Sequence, residues 1–146
     1  MVQQTQTAEK KARPLVPYLK LPEKEGEKPY LFGSKCSSCG AVYLGMRMAC
    51  ASCQSTAPMD PVRFSDEGEL YVYTIVHQSG PGIEVPYVAA IVDLPEGVCV
   101  KATLKGIEPR PENLSFGMKL RMVTEKVGTD REGNDVIAYK FAPVQA

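Results

Sequence analysis

The sequence contains no tryptophan, a single histidine and equal numbers of basic and acidic side chains, 17 of each. It also has no apolar run near the ~18 residues that a membrane-spanning helix needs. Each shortage removes a class of function. The start, MVQQTQTAEKKAR, lacks the apolar stretch of a secretory signal, so the expected setting is cytoplasmic, with no membrane partner. A nucleic-acid binder concentrates Lys and Arg on one face to displace counterions from phosphates. Residues 1–66 carry nine basic against six acidic side chains, and residues 67–146 eight against eleven. Neither half has such a surplus, so nucleic acid is not the expected partner. The only histidine, His77, would need a carboxylate such as Glu84 to form a catalytic pair, and its plainer reading is a strand-end residue beside a loop. No Gly-rich phosphate loop, G-x-S-x-G elbow or carboxylate pair at telling spacing is present. By these residues alone the chain is an accessory protein rather than an enzyme.

What is present is punctuation. Twelve prolines and twelve glycines in 146 residues imply many short elements and little helix. Residues 1–13 are polar and read as a frayed tail. From Pro14 to Tyr30, Pro14, Pro17, Pro22 and Pro29 break any longer helix, while Leu15, Val16, Tyr18, Leu19 and Leu21 make an apolar arm. Such an arm lies along a partner or across its own domain. The expected division is a tail and docking arm over 1–30, a ribbon over 31–60 and a barrel domain over 61–146.

In the last of these, Leu70, Val72, Thr74 and Val76 alternate with Tyr71, Tyr73, Ile75 and His77, the two-residue period of a strand. Tyr87 to Leu94 is almost wholly apolar and reads as a central strand. Pro95-Glu96-Gly97 turns it into a third strand in which Val98, Val100, Ala102 and Leu104 share a face. A fourth places Met118, Leu120 and Met122 opposite Lys119 and Arg121, and a fifth begins at Val136 after the polar turn Gly128 to Asp135. The fold class is therefore mainly β: a rubredoxin-like zinc ribbon followed by a five-stranded OB-fold barrel, with an open sandwich as the fallback. The loop from Ser79 to Pro86 is long for a hairpin, and loops of this kind carry binding in OB barrels. A plain surface loop is the competing reading.

Four of the five cysteines carry the chemistry. Cys36, Cys39, Cys50 and Cys53 form C-x2-C-x10-C-x2-C, two knuckles that each aim a thiolate pair at one point. In a reducing compartment such clusters favour metal over disulfides. Zinc fits four sulfurs, and a closed set of four protein ligands leaves no position for substrate, so its role is structural. Iron in a rubredoxin-like site uses the same ligands and stays open. A segment of about 25 residues has too small a core to fold alone, whereas zinc contributes about 10–16 kcal/mol to such peptides. Cys99 reads as a small packing group rather than a nucleophile.

The order Leu31-Phe-Gly33-Ser-Lys-Cys36-Ser-Ser-Cys39-Gly40, then Met46-Arg47-Met-Ala-Cys50-Ala-Ser-Cys53, then Gly68-Glu-Leu-Tyr-Val-Tyr-Thr74, resembles the zinc-ribbon plus OB-fold proteins called domain of unknown function, family thirty-five. Pro86 to Leu94, Glu96-Gly-Val98, Phe116-Gly-Met118 and Tyr139 to Pro143 follow in that family's order, so the resemblance spans roughly Pro29 to Pro143. It implies a non-catalytic small subunit of thiolase-superfamily acyl-CoA enzymes, or of steroid side-chain aldolases and hydratases. Such a subunit scaffolds assembly, and its barrel helps form the channel for a coenzyme A thioester. The thiolase-like catalytic partner is the reading taken here, with benzoylsuccinyl-CoA cleavage as one such system; a nucleic-acid-binding ribbon and barrel is the alternative class. The resemblance has one gap. Where the family often has Pro-Pro-Arg, this chain has Gly45-Met46-Arg47, so the stiff turn is lost and the arginine kept. Arg47, whose planar fork suits a carboxylate or a phosphate, is with Tyr18 and Gly82 a candidate CoA- or partner-binding residue; a solvated ribbon arginine is the plain alternative.

Overall fold

A computed structural model describes residues 11–144. Its regular structure is ten strands: β1 (Ala12–Pro14), β2 (Leu19–Lys20), β3 (Tyr30–Cys36), β4 (Val42–Leu44), β5 (Met59–Arg63), β6 (Glu67–Val76), β7 (Tyr87–Asp93), β8 (Cys99–Thr103), β9 (Lys119–Thr129) and β10 (Asp135–Pro143). Among the described residues the only helix is one 3-10 turn, Pro111–Asn113, with proline at its start where the missing N–H costs nothing. Among the described residues no helix is long and apolar enough to cross a membrane.

The strands form two sheets. One has the order β1-β10-β9-β6-β7-β8; in the other, β3 pairs with β2, β4 and β5. The five strands β6 to β10 pair antiparallel with one another in the first sheet, as the alternation in sequence predicts. The contact that rounds the sheet off is different. Leu104, just past β8, bridges Phe141 of β10 in parallel, and the Lys105 amide donates to the Phe141 carbonyl at 2.8 Å. Tyr139 adds a hydroxyl bond to the Lys101 carbonyl of β8 at 2.6 Å. This closure gives the OB-type arrangement.

Apolar residues at every second position of β7, β8 and β9 point into the enclosed space: Val88, Ala90 and Val92; Val100 and Ala102; Leu120 and Met122. Strand β6 departs from its sequence pattern. A register shift between Leu70 and Val72 inserts Tyr71 as a bulge, and an extra residue swaps the faces beyond it. Leu70 faces the core, but so do Tyr73 and Ile75 rather than Val72 and Thr74. Val72 is 42% exposed, and it pairs with Ile91 on the outer surface.

The N-terminal segment also differs from its reading as a frayed tail. Residues 1–10 lie outside the described part, but Ala12–Pro14 form a parallel edge strand on β10. Arg13 pairs with Asp130 at 2.9 Å, and the Leu15 amide bonds the Ile137 carbonyl at 2.8 Å. The apolar arm packs across its own chain: β2 pairs with β3, Leu19 is buried against Leu31, and both belong with Phe64 to the same cluster as the barrel core. At this seam Gly33 has no room for a side chain. A Cβ there would sit 1.9 Å from the Tyr43 carbonyl oxygen and 2.7 Å from the Phe64 ring. Ser65 completes the joint, its amide and hydroxyl each donating to Glu96 at 2.7 Å.

Gly33→Ala is therefore expected to cost about 3 kcal/mol or more, read as a fall in the denaturant midpoint; a shift of a few tenths would refute the close approach. A second expectation concerns acid. Asp130 accepts bonds from the Asn134 and Glu132 amides and from Arg13, and these hold its carboxyl down at about 2 against an ordinary 3.8. A lowered value in the fold stabilises the charged form. The stability gap between the wild type and Asp130→Asn should be full above 3.8 and close as the pH falls through about 2. Denaturant midpoints across that range check it, and a gap independent of pH would contradict it.

Candidate metal centre

Strand β3 delivers Cys36 at its last position, and the chain then makes two equivalent turns. In the first, the Cys36 amide bonds the Ala41 carbonyl at 2.8 Å and Gly40 returns a bond to the Cys36 carbonyl at 2.9 Å; in the second, Cys50 bonds Ser55 at 2.9 Å and Gln54 returns to Cys50 at 3.0 Å. Both turns need a left-handed residue directly after the second cysteine. Gly40 supplies it at φ 79°, and Gln54 at φ 62° is the one non-glycine residue with positive φ among those described. A side chain in that region is strained by about 1–2 kcal/mol, and here the bonds between Cys50 and Ser55 and between Gln54 and Cys50 hold it.

The result is convergence. The Sγ atoms of Cys36 and Cys53 lie 3.7 Å apart and those of Cys39 and Cys50 3.5 Å apart, and all four fall within 4.8 Å of one another. Disulfide bonding would need about 2.05 Å, and all four cysteines are free. A tetrahedral ion with metal–sulfur bonds of about 2.3 Å requires sulfurs about 3.8 Å apart, so the cluster fits a metal such as zinc. Cys36 and Cys50 are buried while Cys39 and Cys53 are exposed.

The electrostatics lead to the same conclusion. A hydroxyl bond from Tyr43, backed by the Cys53 amide, holds Cys50 down at about 6. At Cys53 the bond from the Ser55 amide is outweighed by burial and by the thiols of Cys39, Cys36 and Cys50, so that group rises to about 12. Four thiols this close cannot all ionise without a compensating cation, and a divalent ion supplies it.

The other sequence candidates are dispersed. Arg47 lies with its guanidinium 4.5 Å from the centroid of the Tyr43 ring, beside the metal centre. Tyr18 is on the seam: its ring meets Tyr139 edge-on at 6.0 Å, the two hydroxyls are 3.4 Å apart, and Gly45 passes against its Cβ. Burial, followed by the bond from Tyr18, pushes the Tyr139 hydroxyl above its ordinary range. Gly82 sits in the exposed β6–β7 loop at φ 79° with open space around it. His77 and Glu84 are both exposed, and Cys99 faces solvent. Sequence reading missed Tyr43, because its contact with Cys50 joins a three-residue strand to a knuckle and leaves no periodic trace.

With this geometry, comparison with known proteins is specific. The chain is 30% identical over 122 residues to a DUF35 domain-containing scaffold protein of Methanocaldococcus jannaschii, covering 82% of this chain and 85% of that one. The chain belongs to the DUF35 family. Residues 61–125 of this DUF35 protein match the family model described as ChsH2, C-terminal OB-fold domain. It is 28% identical to benzoylsuccinyl-CoA thiolase subunit BbsA of Thauera aromatica, over 82% of this chain and 81% of that subunit. Among solved structures it is similar to a chain of the Ltp2-ChsH2(DUF35) aldolase, with a TM-score of 0.60 and 28% identity over 78% of this chain and 84% of that one.

Replacing Cys36 or Cys50 by Ser is expected to abolish stoichiometric metal binding and unfold the ribbon. Elemental analysis should find one metal ion per wild-type chain and none in either variant, and a variant that keeps its metal and its fold would refute the assignment.

Proposed function

We propose that this DUF35 protein is a non-catalytic accessory subunit that scaffolds a thiolase-superfamily acyl-CoA complex, an acyltransferase assembly whose chemistry belongs to the partner. The observation that carries the reading is the likeness to a scaffold relative along most of both chains. It is supported by the chemistry of the cysteine cluster, because zinc held by four protein sulfurs retains no coordination position for substrate or water and contributes folding energy only.

In this reading the three regions divide the work. The arm over residues 1–30 and the ribbon over 31–60 dock the catalytic subunit, and the barrel over 61–146 borders the path of the CoA thioester. The loop that carries Gly82 contributes Ile83, Val85 and Pro86 to a cleft of about 760 Å3 that also holds Lys105, Arg110 and Lys140. Each of these cations is paired with a carboxylate that lines the same cleft, Lys105 and Lys140 with Glu125 and Arg110 with Glu108, so what the cleft offers a pantetheine chain is its apolar wall. Arg47 and Tyr18 border the docking side. A second reading, an aldolase or hydratase partner, has its own support in the likeness to the Ltp2-ChsH2 chain.

Affinity purification of the untagged partner from the native host, followed by mass spectrometry, tests the choice. A thiolase-like protein should co-purify, with acyl-CoA turnover in the complex and none in this chain alone; Cys36→Ser should break the complex. An aldolase or hydratase in its place selects the second reading. A monodisperse monomer that retains no enzyme refutes both.

A further inference from the structure

The four sulfurs have a fifth neighbour. Tyr43, in the middle of β4, places its hydroxyl 3.3 Å from Cys50 Sγ and 3.0 Å from the Ser52 backbone nitrogen. An amide only donates, so the phenol oxygen accepts from Ser52 and its own hydrogen is left to point at the sulfur. The Cys53 amide donates to the same sulfur at 3.5 Å. Cys50 thus receives one bond from the backbone and one from a side chain, and among the described residues no other side chain except the thiols themselves bonds to the cluster.

The ring that bears this hydroxyl is held in turn. Arg47 lies over its face at 4.5 Å, an attraction between cation and ring quadrupole. Arg47 reaches it because Gly45 turns the chain at φ 77°, with its amide bonded to Phe32 at 3.0 Å and its carbonyl to Ser34 at 2.9 Å. Gly45 is thus a left-handed turn locked into β3.

We propose that Tyr43, braced by Arg47 and by the Ser52 amide, is the positioning residue of the metal centre, orienting the Cys50 thiolate and drawing off part of its charge so that the metal leaves slowly. The inference rests on the tetrathiolate reading of the cysteines and deepens it. Four thiolates around one divalent ion hold an excess of negative charge, and a donor aimed at one sulfur spreads it. Loss of such an outer contact typically weakens a site about 10–100-fold.

The test uses the full-length chain, loaded with zinc or cobalt, as wild type, Tyr43→Phe and Arg47→Ala. Phenylalanine keeps the ring beneath Arg47 and deletes only the O–H. Tyr43→Phe should retain one metal per chain. Its sulfur-to-cobalt charge-transfer band should move to lower energy, since a thiolate without its donor gives up electrons more readily, and zinc should pass to a chromogenic chelator about 10–100-fold faster. Arg47→Ala, at an exposed residue, should move both readouts in the same direction by less. A role in packing alone would leave the band in place. Tyr43→Phe with wild-type band and release rate overturns the inference and leaves the tetrathiolate site standing, whereas a wild-type chain that takes up no cobalt overturns both.

Discussion

The structure depends on one close approach. On β3, Gly33 brings the backbone against the Tyr43 carbonyl and beneath the Phe64 ring, where any larger residue would force them apart. Everything on the N-terminal side is built on that strand. It pairs with β2 from the arm, with β4 that carries Tyr43 and with β5 that leads to the barrel, and it ends on the first metal ligand. The same ring joins Leu19 and Leu31 to the barrel core, so the ribbon and the barrel share one apolar cluster. A ribbon with little core of its own is thereby tied to its neighbour, and a metal held by its four sulfurs would add folding energy to both.

Much of this was legible in the sequence, wherever the signal is local. The doubled C-x2-C spacing encodes two turns of a few residues each, and the structure gathers those four sulfurs. Strands β7 and β8 pair without a register shift and keep their two-residue period, and β9 keeps it as far as Met122. The failures share a cause. The bulge at Tyr71 was not legible because it is set by pairing with β7 and not by β6 alone. β1 was read as part of a tail because three exposed residues carry no apolar pattern, and their pairing lies more than a hundred residues away. Tyr43 was missed for the same reason: its partner is chosen in three dimensions.

The site that emerges is asymmetric. Cys36 and Cys50 are buried and Cys39 and Cys53 are exposed, so a metal bound there would have a protein side and a solvent side. Hydrogen bonds from the backbone and from Tyr43 gather on Cys50, the buried sulfur of the second knuckle. The exposed pair is the side from which a competing ligand can approach.

The parallel pairing of Ala12 with Asp135 has a consequence in time. Its two strands stand at opposite ends of the described chain. A contact of such sequence separation is slow to form, because the intervening chain must first be organised. Its own stabilisation is small, since all three of its residues are exposed. β1 is thus a latch, three exposed residues that can leave β10 without disturbing the buried contacts of the arm that follows it.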